Sequence, residues 1–284
     1  MLSNHLLKAI AVVVGLTSLQ ANASLIQNGS FDQSFNAMSK PSLFQDPRSF
    51  DSLANAATDA GYRWGIYDYL PSWKMLYNAA AGIEVNASGV QTPVNGVTTT
   101  FNAQDGKYFV ELDTHTDLIL GTGQVVNATN VGIYQDLTNL TIGKEYELTF
   151  WYRARNTNAN DNLLDLYWLK TNDVLNYAGQ KTATVDFNSA VVVGNQVVNN
   201  HENWVQYKFN LTASATEMSL GFGGSGSKTF SYTDPKGLIY TSFDGSKQGA
   251  LLDNVSLTEK VPEPATLAMF GLAAAGLLAR RRKA

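Results

Sequence analysis

The chain has 284 residues, of which 44% are hydrophobic and 15% are charged, so it has enough apolar mass for a large folded core. It contains no cysteine, which excludes disulfides, thiolate metal centres and cysteine nucleophiles. Between residues 24 and 261 it carries 15 Lys and Arg against 23 Asp and Glu, and such an acidic body repels phosphate backbones, which excludes nucleic acid as the expected partner.

The first 23 residues have the pattern of a secretory signal peptide. Lys8 precedes an apolar run of 11 residues, and Ala21-Asn22-Ala23 forms a small-x-small cleavage site. The run is too short to span a bilayer, which takes ~20 residues. We therefore expect export, loss of residues 1–23, and a mature body at 24–260 that begins at Ser24.

Side chains of alternating polarity recur through the body and predict β-strands separated by turns. The alternation is clearest in Glu145–Arg153, Trp204–Leu211 and Glu217–Phe222. Further predicted strands are Leu25–Phe31, Gly82–Ala87, Lys107–Asp113, Val131–Leu137, Leu163–Leu169, Thr184–Val193 and Ala250–Thr258, and the predicted loops are Gln33–Ala60, Asn156–Asn162 and Gly223–Lys247. The pattern predicts an all-β fold in which two antiparallel sheets pack face to face.

An aromatic segment, Tyr62 to Trp73, is the densest cluster of rings that has no clean alternation with polar residues. Because sugars are bound by aromatic faces with polar side chains beside them, Tyr62, Trp64 and Trp73 are candidate stacking residues, with Arg63 and Asp68 as polar partners. The alternative is that these rings cap one end of the core. A second candidate group consists of Trp151, Arg153 and Trp168.

Four segments stand out in chain order, namely the opening LIQNGSFD (25–32), DGKYFVELD (105–113), GIYQDL (132–137) through Tyr152, and the closing LLDNVSL (251–257). These segments resemble the galactose-binding-like jelly roll, which many carbohydrate-binding modules and bacterial surface proteins share. The resemblance implies a structural calcium between the first and last strands, with Asp32 and Asp253 as matching ligands. Asp253 shares parity with Leu251, Val255 and Leu257, which predicts that it points inward and needs a metal or hydrogen-bonding partner. The alternative is that both acids accept hydrogen bonds from turn amides.

The segment Glu111-Leu112-Asp113-Thr114-His115-Thr116 resembles the Glu-x-Asp-x-x-Glu strand of a large β-sandwich glycosidase family, in which two glutamates on one face are nucleophile and acid. Here Thr116 occupies the second position, and Asp117 has the wrong parity. We therefore expect no catalytic residues and no enzymatic activity.

The C-terminal segment has three parts in order. Val261-Pro262-Glu263-Pro264 precedes 15 apolar residues, which as a helix would cover ~22 Å, and Arg280-Arg281-Arg282-Lys283 follows. Snorkelling arginines and local thinning can fit this short transmembrane helix to the bilayer, with the basic end cytoplasmic. The tail, residues 261–284, resembles the PEP-CTERM sorting signal of Gram-negative bacteria, which the membrane protease exosortase recognises at Pro262, Glu263 and Pro264 and cleaves.

Together these features predict a non-catalytic protein that is exported across the inner membrane, anchored there transiently, and delivered to the cell surface or matrix of a Gram-negative bacterium. Its expected partners are exosortase and extracellular polysaccharide, as part of an exopolysaccharide or biofilm matrix. A purely structural or adhesive protein without a sugar site is the alternative, and a glycoside hydrolase is the third hypothesis.

Overall fold

The computed structural model describes residues 23–39, 49–55, 63–77, 82–94, 97–113, 130–156, 162–176, 182–185, 191–193, 196–198, 203–225, 230–233, 239–242 and 249–260. Within these ranges the chain is built mainly from strands, with a short helix α1 at Phe50–Leu53 and a 3-10 helix at Thr171–Asn176. The strands in chain order are β1 (Trp64–Tyr67), β2 (Lys74–Tyr77), β3 (Ile83–Ala87), β4 (Val90–Val94), β5 (Val97–Phe101), β6 (Tyr108–Glu111), β7 (Gly132–Leu137), β8 (Glu145–Ala154), β9 (Leu163–Lys170), β10 (Ala183–Val185), β11 (Val191–Val193), β12 (Gln196–Val198), β13 (Val205–Thr212), β14 (Met218–Ser225), β15 (Phe230–Thr233), β16 (Ile239–Ser242) and β17 (Ala250–Glu259).

Two antiparallel sheets form the body of the fold. The first has six strands in the order β1-β3-β6-β17-β8-β13, and the second has five in the order β10-β9-β14-β7-β2. Three further pairs, β4 with β5, β11 with β12, and β15 with β16, form separate two-stranded sheets. The predicted all-β architecture with antiparallel sheets is confirmed.

The main core lies between the two large sheets. Alternate residues of β8, including Phe150 and Tyr152, belong to the same buried cluster as Leu220 and Phe222 of β14. The Phe150 and Phe222 rings meet edge to face, with centroids 5.1 Å apart. The alternation in Glu145–Arg153 therefore reports the inner side of the six-stranded sheet correctly, and the two sheets pack as a sandwich.

The opening segment differs from its expected strand. Residues Leu25–Phe31 run beside β17, where the Leu25 amide donates to the Leu257 carbonyl and the Val255 amide donates to the Gly29 carbonyl. Asn28 and Phe31 have φ of 51° and 59°, and a left-handed backbone interrupts regular pairing. The segment therefore follows the sheet without forming a strand of it.

Other expected boundaries also change. The aromatic segment contains β1, and the expected loop Gly223–Lys247 contains β15 and β16. The two described ends of the expected strand Thr184–Val193 belong to β10 and β11, which are in different sheets. Most of the signal peptide and all of the sorting tail lie outside the described residues. Among the described residues, no helix combines the length and apolar character that crossing a membrane requires.

Candidate ligand-binding face

The side of the six-stranded sheet that points away from the main core is called the outer face here. Strand β17 shows the division, because Leu252 lies in the main core while Leu251 belongs to a second apolar cluster. In β8, Trp151 and Arg153 alternate with the core residues Phe150 and Tyr152 and so lie on the outer face.

The second apolar cluster covers one half of the outer face. It consists of Trp64, Ile66, Val90, Phe101, Phe109 and Leu251. Val90 and Phe101 are paired across the β4–β5 hairpin, so this hairpin places two apolar side chains over the sheet. The hairpin buries much of the face that the sandwich itself leaves uncovered.

Beside this cluster lies a buried polar network. Glu84 and Glu111 are cross-strand partners on β3 and β6, and their exposed fractions are 2% and 1%. The side-chain amide of Asn86 donates from Nδ2 to Glu84 Oε1 and to Glu111 Oε2, both at 3.3 Å. Arg155 Nη1 lies 3.2 Å from Glu111 Oε2, and the Gly249 amide donates to Glu111 Oε1 at 2.8 Å. Four segments distant in sequence are thereby joined at one carboxylate.

The charges of this network perturb one another. Burial raises the pKa of Glu111 well above its usual value, and Glu84 and Asp113 raise it further, against the lowering effects of Arg155 and the Gly249 amide. Burial, with a smaller contribution from Arg155, lowers the pKa of Arg153 to about 10. The guanidinium carbons of Arg153 and Arg155 lie 4.3 Å and 4.6 Å from the centre of the Phe101 ring, so aromatic faces compensate part of their lost hydration.

The other half of the outer face, on β8 and β13, is more open. Trp151 is half-buried and has the exposed Gln206 as its cross-strand partner. Trp204 is also half-buried and precedes Val205, the partner of Tyr152, which places it beside Arg153 in the register. The two indoles therefore occupy one diagonal of a four-residue group, and Arg153 and Gln206 occupy the other. We call Trp151, Arg153, Trp204 and Gln206 the indole patch.

Contacts from neighbouring segments fix one side of the indole patch. The Trp204 indole N–H donates to the Asn102 carbonyl at 2.7 Å, and its ring meets Phe109 edge to face at 5.6 Å. An indole fixed in this way loses little conformational entropy when a ligand stacks on it. The arrangement suits a ligand with one apolar face and a polar rim.

The structure separates the candidate stacking residues of the aromatic segment. Trp73 is buried in the main core, where it packs against Phe31 and its indole N–H donates to the Asn28 carbonyl at 3.0 Å. Trp64 is buried in the second apolar cluster on the outer face. These two rings do not share an exposed surface, and the alternative of a core cap describes Trp73.

The remaining members of that group lie apart. Arg63 donates from Nη1 to the Ser88 carbonyl at 2.6 Å, and Asp68 is exposed after β1. Tyr62 lies outside the described residues, as do the sorting residues Pro262, Glu263, Pro264, Arg280, Arg281 and Arg282. Whether any of these residues contacts a ligand or a protease stays a prediction.

The second candidate group is divided between the two sheets. Trp151 and Arg153 share the outer face, whereas Trp168 is buried in the main core and its indole N–H donates to the Thr212 carbonyl at 2.9 Å. Trp64 lies on the same face as Trp151 but four strands away, which corresponds to ~19 Å. The outer face therefore unites one residue of the first group with two of the second.

Asp32 and Asp253 both bind the turn that precedes β6. Asp32 Oδ1 accepts hydrogen bonds from the Lys107 and Tyr108 amides, and Asp253 Oδ2 accepts from the Gln104 and Asp105 amides. Gly106 in this turn has a φ of 64°, and a Cβ there would overlap the Asp32 carboxylate. The structure thus shows the hydrogen bonds to turn amides that the sequence allowed as an alternative to calcium.

The parity argument for Asp253 is corrected by a bulge. The pairing of β17 with β8 shifts register between Asp253 and Ser256, and Asn254 has a φ of 46°. Val255 and Leu257 therefore point into the main core although Leu251 does not. Asp253 is nevertheless buried, and burial, together with the negative charge of Asp32, raises its pKa to about 8 against the lowering effect of three amide donors.

The donor chemistry at this turn fits a hard cation in part. Two carboxylates reach one turn, and carboxylates with carbonyl oxygens are the ligands that calcium prefers. Within the part of the chain that the structure describes, however, no group of three or more His, Cys, Asp or Glu side chains is arranged to hold a metal ion. A calcium site here would need main-chain carbonyls to complete it.

A comparison with known protein families matches the C-terminal tail of the chain. Residues 260–283 match the PEP-CTERM protein-sorting motif. The chain has no significant match among curated proteins.

Several solved structures resemble the chain at low identity. A family 4 carbohydrate-binding module (15% identity, TM-score 0.30) aligns over 83% of this chain and 99% of its own length. An adhesin domain of Lys-gingipain from Porphyromonas gingivalis (12%, 0.36) aligns over 70% and 98%. An arabinose-bound α-L-arabinofuranosidase (12%, 0.36) aligns over 84% of this chain, which spans only 26% of that enzyme.

Proposed function

We propose that this chain is a non-catalytic, exported protein whose body binds carbohydrate at the indole patch, and which exosortase sorts through its C-terminal motif to the cell surface or an exopolysaccharide matrix. The observation that supports binding is the pairing of two half-buried indoles with Arg153 and Gln206 on one sheet face. The observation that supports sorting is the matched motif at residues 260–283.

The chemistry of the indole patch suits a polysaccharide. The face of a pyranose ring presents C–H groups that stack on an indole, while its hydroxyl groups need donors and acceptors at the ring edge. Arg153 supplies donors, and Gln206 supplies both a donor and an acceptor. An open sheet face also accepts a long chain more readily than a closed pocket does.

The polar network favours binding over hydrolysis. Glu84 and Glu111 form a carboxylate pair, as many glycosidases require, but both are almost fully buried and Glu111 is paired with Arg155. A substrate that reached them would have to displace the second apolar cluster or its neighbours. The network is therefore better suited to supporting the sheet face than to acting on a glycosidic bond.

Affinity electrophoresis through gels that contain different exopolysaccharides tests the binding proposal. Trp151→Ala and Trp204→Ala should each reduce retention, because each should weaken the binding free energy by ~1–3 kcal/mol, the range measured for stacking of bases on aromatic rings. Tyr69→Ala is the matched control, because Tyr69 is 57% exposed and lies outside the indole patch. Equal retention of the parent and both tryptophan variants would exclude the patch as the binding site.

The same gels separate the competing functions. A structural or adhesive protein without a sugar site would migrate equally in every gel. A hydrolase would release new reducing ends from the retained polysaccharide, and Glu111→Gln would abolish that release. Neither result is compatible with the proposal.

Sorting is tested by intact-mass spectrometry of the protein from its native host. The motif match begins at Lys260, directly after β17 ends at Glu259, so the folded body should remain whole after cleavage. We expect a chain that starts at Ser24 and has lost the residues beyond roughly Pro264. A mature protein that retains Arg280 to Lys283 would contradict sorting by exosortase.

A further inference from the structure

A second site is suggested by a cavity at one end of the sandwich, away from the outer face. Its volume is about 290 Å³, near the lower end of the range for ligand pockets. Its lining combines the N-terminal segment with β2, β7 and the turn before β2, and it includes Leu25, Gln27, Ser72, Lys74, Gln135 and Asp136. We call it the Gln135 cavity.

The buried amide of Gln135 holds the walls of the cavity together. The Gln135 Oε1 atom accepts a hydrogen bond from the main-chain N–H of Gln27 at 2.9 Å. The Gln135 Nε2 atom donates to the main-chain carbonyls of Gln27 at 2.9 Å and of Ser72 at 3.0 Å. One side chain therefore links the N-terminal segment to the turn before β2. The walls are preformed, which lowers the cost of ordering them around a ligand.

A donor and an acceptor stand side by side at the cavity. Lys74 Nζ lies 2.6 Å from Asp136 Oδ2, and Asp136 Oδ1 accepts a hydrogen bond from the Ser219 hydroxyl. Lys74 is 60% exposed, so its ammonium can reach a ligand while it remains beside Asp136. The two charges cancel, which favours a neutral ligand, and their spacing resembles that of two adjacent hydroxyl groups on a sugar ring.

Ser72 occupies a strained backbone position in the wall of the cavity. The Trp73 amide donates to the Leu70 carbonyl, which closes a turn with Pro71 and Ser72 at its centre. Ser72 has a φ of 69° at a position where such turns favour Gly or Asn. A serine in this conformation is strained, and its hydroxyl, which lies 3.4 Å from Gln27 Oε1, is the group that a glycine would lack.

We propose that the Gln135 cavity binds one neutral sugar unit, with Lys74 and Asp136 engaging adjacent hydroxyl groups and Ser72 and Gln27 engaging a third. Leu25, which is 40% exposed, supplies the apolar contact. The site is separate from the indole patch, so it does not depend on the function proposed for that patch. Together the two sites would let the protein hold the end of one glycan and the side of another.

Saturation-transfer NMR with free glucose, galactose and mannose tests this inference on the full-length protein, in a buffer without sugar-based detergent. Asp136→Asn should weaken binding of the preferred sugar at least about tenfold, because it removes a charged acceptor and keeps the shape of the side chain. Ser72→Gly should weaken binding about fivefold, yet its Tm should be no lower than that of the parent, because glycine relieves the positive φ.

Two control variants show whether the sugar binds in the cavity itself. Asn254→Gly changes another residue of positive φ, outside the cavity, and should bind the sugar as the parent does. Trp151→Ala should also keep monosaccharide binding while it loses retention by polysaccharide. The inference is overturned if the parent binds none of the three sugars at tens of millimolar, if Ser72→Gly and Asp136→Asn bind as well as the parent, or if Trp151→Ala abolishes the monosaccharide signal.

Discussion

The two faces of the six-stranded sheet differ both in how much of each is removed from water and in the side chains that bury it. On the inner face β8 contributes Leu148, Phe150 and Tyr152, which pack in the main core. On the outer face, charged side chains such as Glu111 and Arg155 are buried beside the second apolar cluster. The inner face is filled by apolar side chains, as expected for a sandwich core. The outer face buries charged side chains, which costs desolvation free energy.

This difference indicates where function lies. A buried ion pair is usually no more stabilising than well-packed apolar residues of similar volume. The charges of the outer face are therefore better explained by the orientation they impose on neighbouring groups than by their contribution to stability. Arg153 illustrates this, since it lies against Phe101 and also borders Trp204 in the indole patch.

The largest effect should come from the main core, against which the inner face packs. Trp73→Ala removes a ring that packs against Phe31 and Phe222 in the main core, and it should lower the free energy of unfolding by ~3–5 kcal/mol. Trp151→Ala on the half-buried side of the outer face should cost far less. Thermal and denaturant melts of both variants measure the contrast, and equal losses would remove the distinction between the two faces.

Breaking the polar network should have a smaller but still large effect. At a pH above the raised pKa of Glu111, Arg155→Ala leaves this carboxylate buried beside Glu84 without its cation, and it should lower the free energy of unfolding by ~3 kcal/mol. The matched control is Lys208→Ala, which removes a solvent-exposed pair with Glu147 and should cost at most ~1 kcal/mol. If the two variants lose the same free energy of unfolding, the network does not hold the outer face.

Much of the sandwich could be predicted because its strands alternate cleanly. Residues 145–153 and 204–211 each place apolar side chains on one side, and β8 and β13 bury those sides in the main core. Local exceptions broke the pattern elsewhere. Phe31 has a positive φ in the opening segment, and the bulge after Asp253 reverses the parity of β17.

The candidate site was harder to predict, since it depends on register between distant strands. Glu84, Glu111 and Arg155 meet only because β3, β6, β17 and β8 are neighbours, and nothing in their local sequence indicates this order. The position of Trp204 and Gln206 on the outer face could be predicted from the sequence, because they alternate with the core residues of β13. The two alternatives for Trp73 could not be separated for a related reason, since a run of aromatic residues does not show which rings face solvent, and the structure buries this ring in the main core.

A third prediction concerns calcium at the turn before β6, where the first and last segments of the body meet. If Asp32 and Asp253 bind calcium, a chelator should lower the Tm, because calcium at 100 times its Kd stabilises the folded state by ~2.7 kcal/mol. Asp253→Asn should lower the Tm by itself and remove the response to the chelator. A parent protein whose Tm does not respond would leave the hydrogen bonds to the turn amides as the whole role of both acids.

The last prediction concerns the pH dependence of stability, in which Glu111 changes the free energy of unfolding by only a small amount per pH unit. Because its pKa is raised in the folded protein, the native state holds the proton more tightly than the unfolded chain does. The stability that this proton contributes is complete below the unfolded pKa of ~4.3 and is lost, at no more than ~1.4 kcal/mol per pH unit, as the pH rises through the raised value.

Glu111→Gln keeps the size of the side chain and cannot ionise, so its Tm should match that of the parent near pH 4 and exceed it increasingly at higher pH. Melts at one-unit steps from pH 4 to 8 measure this difference, with Glu147→Gln as the control for a more exposed acid on the same face of the sheet. A parent that gains stability over Glu111→Gln as the pH rises would mean that Arg155 dominates and the carboxylate is ionised. The outer face would then be held by an ion pair, and Arg155→Ala would become the more damaging of the two changes at each pH where Glu111 is ionised.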